Sequence, residues 1–190
     1  MRGMVTWHRD EEYYTKSSWR GSLKTEGGGA LINQSIHTLD LMQYLIGQKP
    51  SGMKAVIDNQ HLQGKTEVED TMAAYITYPQ AQACFYASTS YAADVPPLLE
   101  LECERARVRI EDLTVTVCQR GEDGRMSREK KELLFPEQER LGKSYWGGGH
   151  LYCIRSFYES LEKGTRFPLN LDSLEDTIWL LLSAYKRIPS

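Results

Sequence analysis

Residues 26–47 read EGGGALINQSIHTLDLMQYLIG, and this stretch predicts the best-defined local element of the chain. After the three glycines, residues 30–46 contain no Gly or Pro, and apolar residues such as Ile36 and Leu39 recur at helical spacing. Gly47 marks the end of the pattern, because helices commonly close on a glycine. A helix over residues 30–46 is therefore predicted.

The residues after this helix predict a β-rich block. Short segments with polar and apolar residues in alternation are separated by turns at intervals of about 8 to 12 residues, and close turns between neighbours indicate antiparallel pairing. The predicted strands are residues 54–62, 71–78, 82–91, 98–104, 108–111, 115–120 and 131–135. One face of such a sheet has to be solvated or covered by a partner.

The two ends of the chain complete the expected fold class. A short extended segment is predicted at residues 4–8, and two further helices at 150–163 and 174–187. Residues 136–149 are either a mobile lid or a passive connection. We expect an α+β fold: a mostly antiparallel open sheet packed on one side by helices, in a single domain over residues 1–190.

Composition and charge restrict the classes of function. The 190 residues are 41% hydrophobic and 26% charged, which is ordinary for a globular chain. A net charge of -3 gives no reason to expect nucleic acid or an anionic membrane surface as partner. No apolar run reaches the ~20 residues of a membrane span, and no signal-peptide pattern opens the chain. We expect a cytoplasmic protein that binds a small molecule or another protein.

Cysteines and histidines give no metal-binding or disulfide pattern. The four cysteines form no CxxC pair, so reduced and mostly buried thiols are expected. The four histidines are scattered, without a spacing typical of metal ligands. No metal site is predicted.

Four polar residues of the predicted helix could carry chemistry. Asn33, His37, Asp40 and Tyr44 recur at a spacing that puts them on one helix face. An imidazole can take up and return a proton near neutral pH, and an amide one turn earlier can hold a substrate hydroxyl. The alternative is structural, since a lone helical histidine is more often a satisfied packing residue.

Three further stretches each allow two interpretations. The glycines at 27–29 let the backbone approach a ligand and expose N–H groups at a helix start, or they form a flexible turn. Residues 13–21, YYTKSSWRG, suit sugar stacking and the binding of a carboxylate or phosphate, or they pack as a surface loop. Residues 67–70, EVED, could be paired catalytic acids, but a solvated acidic turn is expected there.

Taken together, these stretches resemble the C-terminal domain of the Gfo/Idh/MocA oxidoreductases. The resemblance rests on residues 7–9 (WHR), 13–14 (YY), 19–21 (WRG), 26–40 and 69–71 (EDT). It implies a nicotinamide-dependent dehydrogenase of a sugar or cyclitol, whose N-terminal Rossmann domain binds NAD or NADP. It also implies that the C-terminal sheet domain supplies substrate contacts and a homo-oligomer interface through its open face.

The resemblance also implies roles for individual residues. His37 matches the general base, which takes the hydroxyl proton while hydride leaves the same carbon for the nicotinamide. Asn33, Arg20, Trp19 and Tyr14 are the implied substrate contacts. Asn33 replaces an aspartate that is frequent in the family, and the Asn-Gln pair is similar to the branch with nucleotide-sugar dehydrogenases. A phosphate or carboxylate on the substrate would give Arg20 a role.

The cofactor-binding part of such an enzyme has no counterpart in this sequence. There is no strand–GxGxxG–helix unit and no Glu-Lys-Pro motif, whose lysine helps in the family to bind the reacting hydroxyl. We therefore expect that the N-terminal dinucleotide-binding domain is missing from this chain, and that the chain alone binds no cofactor and is inactive. The alternative is a non-catalytic dimerisation or ligand-binding module that has lost its Rossmann domain.

Overall fold

A computed structural model of the chain describes residues 1–127, 129–133 and 149–186. The strands are β1 (Arg2–Thr6), β2 (Gly52–Asp58), β3 (Thr71–Thr77), β4 (Gln82–Ser88), β5 (Leu98–Glu102), β6 (Ala106–Glu111), β7 (Thr114–Gln119) and β8 (Lys130–Leu133). The helices are α1 (Glu11–Thr15), a π-helical segment (Ala30–Ser35) that continues into α2 (Ile36–Ile46), α3 (Gly149–Lys163) and α4 (Leu171–Ala184).

All described strands belong to one open sheet, in the order β2-β3-β4-β1-β5-β6-β7-β8. Every neighbouring pair is antiparallel except β1 and β4, which run parallel. The predicted α+β fold with a mostly antiparallel open sheet is confirmed. The parallel pair was not expected; it arises because the first strand of the chain lies between β4 and β5 instead of at an edge.

The core lies between one face of this sheet and the helices α2 and α4. Along β3 the side chains alternate, with Met72 and Ile76 fully buried while Tyr75 points to the open face. Leu39 of α2 and Leu180 of α4 are fully buried against the inner face. Helices therefore cover one side of the sheet, as predicted.

The helix predicted over residues 30–46 has the expected extent but two geometries. Its first six residues are π-helical, and the hydroxyl of Ser35 donates to the carbonyl of Ala30 at 2.8 Å, five residues back. The α-helix begins at Ile36 and ends at Gly47, which has the left-handed conformation (φ 63°). Apolar spacing alone did not distinguish the two geometries.

The predicted strand 54–62 extends past the observed end of β2, where a buried acid binds the backbone of the following turn. Strand β2 stops at Asp58, and the carboxylate of Asp70 accepts the backbone N–H groups of the next turn, those of Gln60, His61 and Leu62 at 2.7–3.2 Å. Asp70 is 1% exposed and Glu69 4%. The expectation of a solvated acidic turn at residues 67–70 is therefore wrong for these two residues.

Two smaller expectations also differ from the structure. The helix α1 was not predicted; Asp10 caps it by accepting the N–H of Tyr13 at 2.9 Å. All four cysteines are free, but three are exposed and Cys118 is half-buried, so the expectation of mostly buried thiols is wrong. Cys84 illustrates the reason, since it lies at an outward position of β4.

The segment predicted as a lid or a passive connection lies outside the described residues, apart from Gly149, the first residue of α3. The same holds for the last two residues of the predicted strand 131–135 and for Arg187 at the end of the last predicted helix. Among the described residues, no helix combines the length and the apolar character that crossing a bilayer requires.

Helix α3 is exposed to an unusual degree. Of its fifteen residues only Ser160 is buried. Large apolar side chains at the positions i, i+3, i+4 and i+7 of one face are 42–61% exposed: Ile154, Phe157, Tyr158 and Leu161. Apolar side chains of this helix therefore form an exposed stripe along one face.

Candidate functional site

His37 lies in the first turn of α2, and its side chain is exposed. The imidazole makes no hydrogen bond to any residue in the described part of the chain. The structural alternative, a packing histidine with both nitrogens satisfied, therefore has no support in this geometry. Since no described residue binds either ring nitrogen, both can contact a ligand.

Asn33 lies one turn before His37, in the π-helical segment. Its amide Nδ2 donates to Oε1 of Glu26 at 2.5 Å, and Oε2 of the same carboxylate accepts the N–H of Gly21 at 2.5 Å. Glu26 thus ties the helix to the preceding loop. This role of Glu26 could not be predicted from the sequence, because the contact depends on how the chain turns at Gly27 (φ 85°).

The start of the π-helical segment is closed by a carboxylate of the chain itself. Glu69 accepts the N–H groups of Gly29 at 2.8 Å and Leu31 at 2.9 Å, and the hydroxyl of Tyr185 at 2.6 Å. The interpretation of the glycines as a backbone opening for a ligand is therefore wrong. This helix start does not fit a dinucleotide phosphate, since its N–H groups already have an anionic partner.

Close packing explains two of the three glycines. A Cβ at Gly28 would collide with the hydroxyl of Tyr185, and one at Gly29 with the carbonyl of Glu69. The glycines therefore allow the helix start, the acidic turn and the end of α4 to meet.

The loop before the glycines holds Arg20 between aromatic rings. Its guanidinium carbon lies 4.1 Å from the ring centroid of Tyr13 and 5.1 Å from that of Trp19, within the range of cation–π attraction. Nη1 also donates to the carbonyl of Tyr13 at 3.3 Å. Arg20 and Trp19, both predicted site residues, are therefore in contact.

Gln34 connects this aromatic loop to the helix that carries His37. Its Nε2 donates to the hydroxyl of Tyr13 at 2.9 Å, and its Oε1 accepts from Nε of Arg9 at 3.1 Å. Arg9 in turn pairs with Asp94 at 3.0 Å. Sequence analysis missed Gln34, Arg9 and Asp94 as parts of the site, because they meet only through the tertiary fold.

Tyr14 is buried and packs with Leu62 and Val68. Burial raises the pKa of its hydroxyl to about 12, although a hydrogen bond with Thr89 acts in the opposite direction. This position favours a packing role over the substrate contact that was predicted. Tyr14 and Arg20 nevertheless border one cleft of about 490 Å³.

The predicted polar face of the helix is divided. Asp40 accepts a hydrogen bond from the hydroxyl of Thr177 on α4 at 2.6 Å, so it joins the two helices. Tyr44 is exposed at the far end of α2. The open part of the face consists of Asn33 and His37. Within the described ranges, no group of three or more His, Cys, Asp or Glu side chains could hold a metal ion.

The fold and this helix place the chain among the C-terminal domains of oxidoreductases. The family model described as the GFO/IDH/MocA C-terminal domain matches residues 1–109, and the chain belongs to this family. No curated protein matches the sequence of the chain.

Solved structures share the fold over nearly the whole chain. WlbA dehydrogenase from Bordetella pertussis, in complex with NADH and UDP-GlcNAcA, has 21% identity and a TM-score of 0.71, covering 98% of this chain and 51% of its own. A levoglucosan dehydrogenase in complex with NADH has 18% identity and a TM-score of 0.75, and the match covers 98% of this chain and 56% of that dehydrogenase. An oxidoreductase from Agrobacterium radiobacter, in complex with NAD+, L-tartaric acid and magnesium, has 14% identity and a TM-score of 0.74. This match covers 98% of this chain and 54% of that oxidoreductase. The chain spans about half the length of these proteins.

Proposed function

We propose that this chain is the substrate-binding and oligomerisation part of an NAD(P)-dependent dehydrogenase that oxidises a hydroxyl of a sugar, cyclitol or nucleotide sugar. The observation that carries the proposal is the exposed imidazole of His37, without a partner among the described residues, one turn after Asn33. Family membership and the NADH-bound sugar and nucleotide-sugar dehydrogenases of the same fold support it.

In this proposal His37 takes up the proton of the reacting hydroxyl. An imidazole exchanges a proton at neutral pH without a large driving force, which suits a general base. Asn33 holds a substrate oxygen through its amide, and Glu26 fixes the orientation of that amide by accepting its Nδ2 hydrogen bond. The chain's part is therefore to orient the alcohol and to accept its proton.

The oxidant has to come from a separate cofactor-binding domain. The closed helix start at Glu69 argues against a dinucleotide site on this chain. The exposed apolar stripe of α3 supports a second domain, because a helix of this length is marginal in water unless an apolar face is covered. NAD and NADP would both satisfy this proposal, and the chain alone is expected to be inactive.

The test of this function uses the enzyme in which the chain is joined to its dinucleotide-binding domain. His37→Asn should lower kcat by about two to four powers of ten, because a general base contributes that much, while binding of the reduced nicotinamide cofactor is unchanged. His61→Asn is the matched control, since His61 lies in the turn after β2. Equal turnover of His37→Asn and the unmodified enzyme would remove His37 from the mechanism.

A second candidate function is a non-catalytic module that dimerises through its sheet. The observation in its favour is the outer face of β2, β3 and β4, where Val56 is 70% exposed and Ala73 and Tyr75 are also exposed. Both candidates use this homo-oligomer surface. They differ in upstream coding sequence: an in-frame Rossmann unit before Met1 favours the enzyme, and its absence favours the module.

A further inference from the structure

Arg20 is a half-buried cation without an anionic partner among the described residues. Its neighbour Arg9 pairs with Asp94, but none of the ion pairs within the described ranges includes Arg20. Its Nε is buried and has no hydrogen-bond partner there. Because a buried N–H group without an acceptor is costly, this nitrogen needs an explanation beyond the fold.

Aromatic packing fixes the guanidinium without neutralising it. The ring of Tyr13 lies 4.1 Å from the guanidinium carbon, and its hydroxyl is held by Gln34 at 2.9 Å. The ring of Trp19 lies at 5.1 Å and is 43% exposed. The one hydrogen bond that the guanidinium of Arg20 donates to a described residue goes to the neutral carbonyl of Tyr13. The positive charge is therefore oriented, but it has no anionic partner within the described ranges.

The other charges of the adjoining cleft are already engaged. Lys65 pairs with Glu11 at 3.1 Å. Oε2 of Glu67 accepts from the hydroxyl of Ser22 and the N–H of Leu23, both at 2.9 Å. Arg20 is the cation bordering this cleft of about 490 Å³ that lacks an ion pair in the described part of the chain.

We propose that Arg20 binds the oxyanion, carboxylate or phosphate, of an acidic sugar substrate. A guanidinium presents paired N–H donors that match the geometry of either group, and the exposed ring of Trp19 offers a surface for a sugar face. The carboxylate of Glu26 accepts hydrogen bonds from Gly21, next to Arg20, and from Asn33. The same side chain therefore positions both the anion site and the proposed reaction site. The inference rests on the proposed function and specifies its substrate class as anionic.

The proposal is tested by calorimetric titration of the chain with D-glucose, D-glucuronate, glucose 1-phosphate and UDP-glucuronic acid. We expect the charged sugars to bind at least about tenfold more tightly than glucose, because a charge-assisted hydrogen bond contributes that much. Arg20→Gln should abolish this preference. Tighter binding of glucuronate than of glucose 1-phosphate would identify the bound group as a carboxylate, and the reverse order would identify it as a phosphate.

Two further variants keep the test decisive. Arg155→Gln, on the exposed face of α3, removes the same charge elsewhere and should leave the preference intact. Arg20→Lys keeps the positive charge but lacks the planar guanidinium with its paired N–H donors, so it should retain part of the preference. This variant provides the test if Arg20→Gln does not fold. Equal affinities for neutral and charged sugars, or a preference that survives in Arg20→Gln, would overturn the proposal. Loss of the preference in Arg20→Gln together with an unchanged His37→Asn turnover would retain the anion site and reject the proposed chemistry.

Discussion

The contact between Glu26 and Asn33 shows why an amide fits position 33 in this chain. Glu26 is already held by the N–H of Gly21, and its second oxygen accepts from Nδ2 of Asn33. An aspartate at position 33 would place two carboxylates in direct contact, and like charges at this distance disfavour the ionised pair. The neutral side chain is therefore a consequence of the acid seven residues earlier.

A single substitution tests this dependence. Asn33→Asp should lower the free energy of unfolding at neutral pH by about 1–3 kcal/mol, because it replaces a hydrogen bond to a charged group by a repulsive contact. Urea denaturation measures the change. The double variant Glu26→Gln, Asn33→Asp should recover most of it, since an amide then faces the carboxylate; no recovery would mean that the two side chains do not interact.

The placement of a residue in the candidate site could be predicted from the sequence where local spacing determines it. It could not be predicted where a contact with a distant residue determines it. Helical spacing predicted that Asn33 and His37 lie one turn apart, and the aromatic loop brings Arg20 to Trp19, while the functional roles of these residues stay predictions. Glu69 contacts the helix start from 40 residues away, as the Gly29 bond shows, so no local pattern indicated that it would occupy the N–H groups. The packing role of Tyr14 likewise depends on Leu62 and Val68.

At the scale of elements, the π-helical segment depends on the buried carboxylate of Glu69. This carboxylate accepts from two backbone N–H groups of the helix start and from Tyr185 after α4. The orientation of Asn33 and His37 therefore depends on a contact between three separate parts of the chain.

Removing this acid should destabilise the fold. Glu69→Ala is expected to cost about 3 kcal/mol or more, since it leaves buried N–H groups without a partner. Tyr185→Phe, which removes one of the three bonds, should cost about 1 kcal/mol. Thermal or urea unfolding checks both values. Glu104→Ala, an exposed acid, is the control, and a Glu69→Ala variant as stable as that control would contradict this account of the helix start.

The ends of helices and strands could be predicted where a residue at the end itself terminates the element. Gly47 closes α2 in both the sequence pattern and the structure. The end of β2 could not be predicted, because it depends on Asp70, whose carboxylate accepts the backbone N–H groups of residues 60–62 in the following turn. The π geometry before α2 likewise leaves no distinct mark in the apolar spacing.

In the whole molecule, α2 and α4 pack against one face of the sheet at β1 to β4, and the opposite face of these strands is exposed among the described residues. The open face carries Val56, Ala73 and Tyr75 side by side, since Val56 pairs with Ala73 across β2 and β3. The open sheet could be predicted from the alternating strands, whereas the parallel insertion of β1 depends on long-range order that the sequence pattern does not contain.

The open face gives a prediction about assembly. We expect the chain to form a homo-oligomer through it, so Val56→Asp should weaken self-association at least about tenfold by placing a charge in an apolar interface. Light scattering over a concentration series measures this. Val95→Asp, an exposed valine in the loop before β5, should associate like the unmodified chain. A strictly monomeric unmodified chain at micromolar concentration would contradict the proposed interface.

The proposed function requires that the imidazole of His37 faces the substrate. The most direct measurement is an NMR titration of the imidazole resonances of the four histidines with UDP-glucuronic acid, with His37→Asn used to assign the signal of His37. We expect the His37 resonance to shift in a saturable way while that of His61 does not. If the signals of the ligand show binding and the His37 resonance stays unchanged, His37 does not face the substrate.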